Sequence, residues 1–409
     1  MFDSGMKNND IFDKFEKLSE RYRGVADLGT QPFGLAFDEI LSPTRARVGS
    51  REVILAGTNN YLGLTFSDAC TTAAKAAIDH HGTATTGSRL ANGTFREHIE
   101  LETALKDYFD AASAIVFTTG YQANLAAISA LVGRGDHLLI DADSHACIYD
   151  GCRLSDAETI RFRHNSPEDL AKRLSRLPDE GARLVVVEGL YSMLGDVAPL
   201  AEFVDVVSEH GAYLYVDEAH SVGCYGERGR GVAQAQGVLD RIDFLSGTFS
   251  KSFASIGGFC VSRHESFEYT RLVSRPYLFT ASGSPANIAA ARAALTVIAG
   301  SEDLGKRLWD RANQLHSGLR AAGFEPASAP GPIIALPRAD EVTAVREWNA
   351  LLEAGIYVNL AVPPATPQAR SLLRLSVSAA HSEGEINQII AAFKALPALI
   401  KAPYVYSAT

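Results

Sequence analysis

The sequence predicts an α/β protein in two parts, a large domain around a mostly parallel sheet and a smaller α+β C-terminal domain. Three observations lead there. From about residue 67 to 290, apolar β-rich runs alternate with helical patterns, as stacked βα units do. Beyond about residue 290 the alternation stops, and an Ala-rich helix, two strand-like runs and an amphipathic helix follow. Each central apolar run also ends in polar side chains, which an open α/β sheet gathers outside the carboxyl ends of its strands.

Residues 1–55 read as an N-terminal arm, a polar helix and an extended stretch leading into the short strand EVILAGTNN. Residues 56–292 make the large domain, where EHIELETALKDYF places apolar residues at helical spacing. SAIVF runs into Thr118, Thr119, Gly120 and Tyr121, and HLLID runs into Asp143, Ser144 and His145. LVVVEG leads to Tyr191 and Ser192, AYLYVDEAH carries Asp217 and His220, and FLSGTFSK ends at Lys251. Residues 293–409 form the smaller domain, with strands GPIIALPR and LLRLSVS and a closing helix; the arm is expected to complete it.

Composition narrows the function. With 46% apolar and 21% charged residues the 409-residue chain supports a large core and not a disordered segment. A formal net charge of −10 argues against a nucleic-acid or anionic-membrane surface, while local donors still suit an anionic small molecule. The five cysteines are odd in number and scattered, unlike a secreted disulfide framework. No signal peptide and no membrane-spanning run is read. A cytoplasmic protein is expected, and weak peripheral membrane contact is compatible with that.

Singly, the strand-end residues have ordinary explanations. Asp217 suits a helix cap, His145 or His220 a hydrogen-bonded core histidine, Lys251 a lysine with its stem on the surface, and Gly120-Tyr121 a turn. Together in one crevice they suit a pyridoxal 5′-phosphate pocket. Lysine forms the Schiff base and works best partly desolvated. An aspartate keeps the pyridinium nitrogen protonated. A helix N-terminus and hydroxyls hold phosphate, which TTGYQANLAAISAL with Thr248 and Ser250 offers. His145 is placed to stack on the ring and His220 to reach its phenolic oxygen.

The motifs GTNNYLGL, GSRLANGTFREHIELE, TTGYQANL, DADSHACIYDG, EGLYSMLGDVAPL, VDEAHSVGCYGERGRG, GTFSKSFASIGGF and PPATP resemble the α-oxoamine synthase family of fold-type I pyridoxal phosphate-dependent transferases over nearly the whole chain. Within it, GSRLANGTF, IRFRHNS, SRPYLFTAS and PPATPQARSLLRLS are most similar to the branch that condenses L-serine with a long-chain acyl thioester, on coenzyme A or an acyl carrier protein. The resemblance implies an acyltransferase that makes 3-ketodihydrosphingosine in sphingolipid biosynthesis. It assigns Lys251 as the Schiff-base lysine, Asp217 as the pyridinium partner, His145 as the stacking ring and His220 as the contact to the phenolic oxygen. Gly120, Tyr121, Thr248 and Ser250 would hold the phosphate. It further implies a homodimer with a shared active site, in which Thr280 of the partner subunit reaches the phosphate, while Asn60 and Arg374 handle the amino-acid carboxylate.

Two positions depart from that branch. Val362 stands where an arginine usually precedes PPATP, and Asn59 stands where an aromatic residue is usual. These leave room for a sister reaction, with alanine or glycine, of the 8-amino-7-oxononanoate or 2-amino-3-ketobutyrate type. Other motifs fail. GERGRG lacks the strand–helix context of a dinucleotide site, and His145, Cys147 and Cys152 lack zinc-site spacing, so no metal is expected.

Overall fold

The computed structural model describes residues 10–29, 32–363 and 365–399. Residues 1–9 and 30–31 of the expected arm, Pro364 of the PPATP motif and residues 400–409 of the expected C-terminal domain lie outside the described residues.

The chain first forms an antiparallel meander, β1 (Glu39–Ser42), β2 (Arg45–Val48) and β3 (Arg51–Leu55). The central sheet follows: β4 (Ser113–Phe117), β5 (His137–Asp141), β6 (Glu158–Phe162), β7 (Arg183–Glu188), β8 (Tyr213–Asp217), β9 (Phe244–Thr248) and β10 (Gly258–Ser262). Its spatial order is β4-β10-β9-β8-β7-β5-β6. Only β10 runs against its neighbours; from β9 to β6 every pairing is parallel. Last come β11 (Ile333–Arg338), β12 (Ile356–Tyr357), β13 (Asn359–Ala361) and β14 (Ser371–Ser376). A three-stranded antiparallel sheet is ordered β11-β14-β13, while β12 joins β3 in parallel. The N-terminal meander is thus tied to the C-terminal part by main-chain pairing.

Helices cover both faces of the central sheet, which explains its unbroken apolar runs. All residues of β4, β5, β9 and β10 are buried, and two apolar layers lie one on each side. β6 is one of the two edge strands, half-exposed, and bears Glu158 and Arg161, charges that discourage pairing with another chain.

Because β10 is antiparallel, its first residue meets the last residues of its neighbours: Gly258 faces Phe117 on one side and Thr248 on the other. A Cβ on Gly258 would lie 2.6 Å from the Cα of Gly120, so only glycine lets the helix Gly120–Leu131 start this close to the sheet. Gly257 just before it has φ +145°. One edge of the sheet therefore collects the ends of β4, β5, β7, β8 and β9.

Candidate active site

That edge opens into a cleft of about 1280 Å³ lined by Asn59, His145, Ser192, His220, Lys251, Val362 and Arg374, among others. Lys251 sits in the turn after β9. Phe249 and Phe253, both fully buried, anchor the turn, and Phe249 N–H donates to the Gly257 carbonyl at 2.9 Å. Burial lowers the Lys251 amine to about 8, against the pull of the Asp217 and Glu188 charges, and Arg374 adds to the lowering. Among the described residues it makes no hydrogen bond or ion pair.

Asp217 ends β8 and is 5% exposed. Its Oδ1 accepts from Ala219 N–H at 2.9 Å and its Oδ2 from Asn124 Nδ2 at 2.6 Å. The Asn124 amide cannot turn round. Its Oδ1 already accepts from Tyr215 Oη at 2.8 Å and Ser246 Oγ at 2.7 Å, so its nitrogen must face the carboxylate.

His145 caps the helix Ala146–Ser155, and its Nδ1 accepts from Cys147 N–H at 3.2 Å. An accepting Nδ1 leaves the ring proton on Nε2. Burial depresses its pKa, with Asp217 opposing and Lys251 reinforcing, so the ring is neutral near pH 7. Its main-chain N–H donates to Glu188 Oε1 at 2.5 Å; burial and the nearby Asp217 hold the Glu188 carboxyl well above its usual range. His220 is pushed far down by burial and by Lys251, Arg374 and His145, and its Nδ1 meets the Tyr61 hydroxyl at 2.8 Å. Tyr61 is itself fully buried.

Arg374 projects from β14, whose neighbours in register are Ala335 and Asn359. Its Nε donates to the Ser192 carbonyl at 2.6 Å, Nη1 to Ser376 Oγ at 3.1 Å and to Asn59 Oδ1 at 3.2 Å, and Nη2 to the same Asn59 oxygen at 3.3 Å. Four of the five guanidinium N–H groups are thereby engaged, and one on Nη2 is left. Asn59 Oδ1 also faces the Tyr61 hydroxyl at 3.2 Å, which orients the amide nitrogen away from this cluster.

At the far side of the sheet edge, Thr248 Oγ1 lies 2.8 Å from Ser250 Oγ, and a Cβ on Gly120 would come 2.7 Å from Thr248 Cβ. The two hydroxyls therefore sit at the start of the helix Gly120–Leu131. Tyr121 turns its hydroxyl to Asp150, and its ring lies edge-on to His145 with centroids 6.2 Å apart. Thr280 stands beside the same helix of its own chain, accepting from Gln122 Nε2 at 3.4 Å.

Asn60 is not among the residues lining the cleft: its amide donates to Thr65 Oγ1 at 2.9 Å and towards the Pro43 carbonyl at 3.4 Å. The neighbouring Asn59 is the one that faces Arg374, because successive residues entering this bend point to different sides. Sequence reasoning also passed over Asn124 and Glu188. Glu188 carried the same signal as Asp217, an acid closing a β-run; Asn124 carried none beyond its place one turn into the helix.

An unpaired, desolvated amine, a buried carboxylate with a fixed amide beside it, two neutral imidazoles and paired hydroxyls at a helix start fit pyridoxal phosphate. Fold and donor set together define a fold-type I pyridoxal phosphate enzyme. The aminotransferase class I and II family matches residues 51–393. A serine palmitoyltransferase of Caulobacter vibrioides is 54% identical, over 93% of this chain and 94% of that protein. The structure of a variant serine palmitoyltransferase from S. paucimobilis with bound PLP and myriocin superposes with a TM-score of 0.94 at 47% identity, covering 96% of this chain and 99% of that one. By contrast, 8-amino-7-oxononanoate synthase from Francisella tularensis reaches 0.71 at 25% identity, covering 84% and 97%. The chain belongs to the aminotransferase class I and II family and, within it, to the serine palmitoyltransferase type of α-oxoamine synthase.

Proposed function

We propose that this enzyme condenses L-serine with a long-chain acyl thioester, palmitoyl-CoA or an acyl carrier protein, to 3-ketodihydrosphingosine, releasing the thiol and CO2. The observation that carries the proposal is the desolvated Lys251 amine, in one cleft with His145, His220 and Arg374 and under the pull of the buried Asp217 carboxylate. Identities of 54% and 48% to two serine palmitoyltransferases, against 37% to a putative 8-amino-7-oxononanoate synthase, support serine over alanine or glycine.

In this reading Lys251 anchors the cofactor's aldehyde, Asp217 faces its ring nitrogen, and Gly120, Tyr121, Thr248 and Ser250 receive its phosphate. His145 would cover one ring face and His220 would lie near the phenolic oxygen. Pyridoxal phosphate supplies an electron-withdrawing ring that takes up charge developing at the substrate Cα. The chain supplies the rest. The Lys251 amine, lowered by burial toward neutral pH, would accept the Cα proton. The last Arg374 N–H would receive the carboxylate, with Asn59 holding the guanidinium in place, and so orient the substrate Cα. Holding the carboxylate back from cleavage until the acyl group arrives sets the order of bond breaking. Val362, lining the cleft without charge, leaves this contact to Arg374.

A homodimer is supported by Tyr269, Leu272, Val273 and Phe279, which are 62–77% exposed immediately before Thr280. Such an apolar strip marks an interaction surface, and a second copy seated there would bring Thr280 of the partner subunit near the phosphate. Five free, buried cysteines favour the cytoplasm, and no helix among the described residues is long and apolar enough to cross a membrane.

The test is direct. The holoenzyme should shift its visible absorbance with L-serine and release free thiol from palmitoyl-CoA, and Lys251→Ala should lose both. A shift with glycine or alanine but none with serine would overturn the substrate.

A further inference from the structure

The helix Glu16–Ala26 carries Leu18, Tyr22 and Val25 at spacings of four and three, with Phe15 just before it, so the four share one stripe. In an ordinary amphipathic helix such a stripe packs on the core. Here only Val25 is buried; Phe15, Leu18 and Tyr22 are 47%, 58% and 42% exposed. All four line the same cleft as Lys251. The stripe is therefore aimed at the reaction cavity and not at the protein interior.

The helix is held there firmly. Arg21 Nε donates to both Glu341 oxygens at 3.0 Å and Arg21 Nη2 adds a third bond at 2.5 Å, a bidentate pair to the C-terminal part. Beyond the helix, Asn349 Nδ2 donates to the Leu28 carbonyl at 3.3 Å. Tyr22 is further set by the Phe33 ring, with centroids 6.3 Å apart.

A cleft of about 1280 Å³ far exceeds what serine and a cofactor ring occupy. Alongside the polar groups near Lys251 and Arg374, and Arg21 paired with Glu341, the lining is apolar: Phe15, Leu18, Tyr22 and Val25 of this segment with Leu360 and Pro363. We infer that the helix Glu16–Ala26 is the wall along which the acyl chain of the thioester lies, and that Leu18 and Tyr22 set its preferred length. The inference rests on the acyl-transfer reading above and names the residues that read its second substrate. The occupant is the acyl chain because the stripe is continuous with the cavity that holds Lys251 and Arg374, where the acyl group must react.

Full-length holoenzyme is assayed with palmitoyl-CoA and lauroyl-CoA at saturating L-serine, comparing kcat/KM. Each methylene kept out of an apolar wall costs about fourfold. Leu18→Trp, which fills the wall, should lower the palmitoyl-to-lauroyl ratio roughly tenfold or more, two methylenes' worth, with the L-serine absorbance titration unmoved. Leu18→Ala should shift the optimum to chains longer than that of the parent enzyme. A fall of threefold or more with Leu18→Trp supports the inference. A smaller change, with the chain-length profile of Leu18→Ala also unmoved, overturns it, whether or not vesicle binding or sedimentation changes. Lack of turnover by the unsubstituted enzyme with every acyl thioester sinks the reaction itself, an outcome distinct from an unchanged ratio.

Discussion

Lys251 carries an electrostatic cost in the cleft, and it bears that cost in the cofactor-free protein. Its folded pKa of about 8 lies below the unfolded value, so the unfolded chain binds the extra proton between the two. Stability of the apoprotein should therefore rise with pH from about 8 towards 10.5 as far as this group is concerned. Lys251→Met should raise the apoprotein's stability near pH 7 by roughly 3 kcal/mol and remove that rise, which denaturant melts at several pH values will read. Asn124 makes the opposite case. Removing its amide with Asn124→Ala strands Tyr215 and Ser246 hydroxyls and takes a donor from Asp217. A loss of about 2–3 kcal/mol is expected, with cofactor affinity down at least about tenfold, measured by fluorescence titration. The residues legible in the sequence were those that close an apolar run, Asp217, His145, His220 and Lys251, because the end of a strand is a local signal. Asn59 was visible only as a departure from a family pattern; which of two adjacent asparagines faces Arg374 depends on a bend that local sequence does not specify.

Between elements, His164 ties three strand ends together. Its Nδ1 lies 2.8 Å from Asp141 Oδ1 at the end of β5, and its Nε2 lies 2.7 Å from Asp196 Oδ2 beyond β7. Burial alone would lower its pKa, but the two carboxylates outweigh it and hold the imidazolium to about 10. A folded pKa above the unfolded one gives stability that is complete below about pH 6.5 and is lost as pH rises towards 10. The stability gap between the parent and His164→Gln should accordingly narrow across that window in pH-dependent melts; a gap constant with pH would refute the charged clamp. The contact of Gly120 with Gly258 is a second test at this scale. Gly258→Ala forces a Cβ to 2.6 Å from a neighbouring Cα, and a loss of more than about 2 kcal/mol is expected. Periodicity exposed the alternating strands and helices here, while the antiparallel course of β10 stayed hidden, since a fully buried strand reads the same in either direction.

Across the whole molecule, the cleft is assembled from residues far apart in the chain: the N-terminal helix, the ends of the central strands and β14. The division into a large sheet domain and a smaller C-terminal one was readable because the hydrophobic pattern changes near residue 290. The return of the N-terminal meander to β12, and the helix before it lying over the cleft, were not, because strand pairing across some 300 residues leaves no local trace. A net charge of −10 coexists with a cationic pocket for the same reason: Arg374 is buried, Lys251 is partly buried, and only the fold brings them together. The central claim is that one amine at the mouth of this sheet captures the cofactor covalently. Borohydride reduction of the holoenzyme followed by peptide mapping tests it most directly. The pyridoxyl group should be found on Lys251 within GTFSKSFAS; its recovery on another lysine, or on none, would contradict the account.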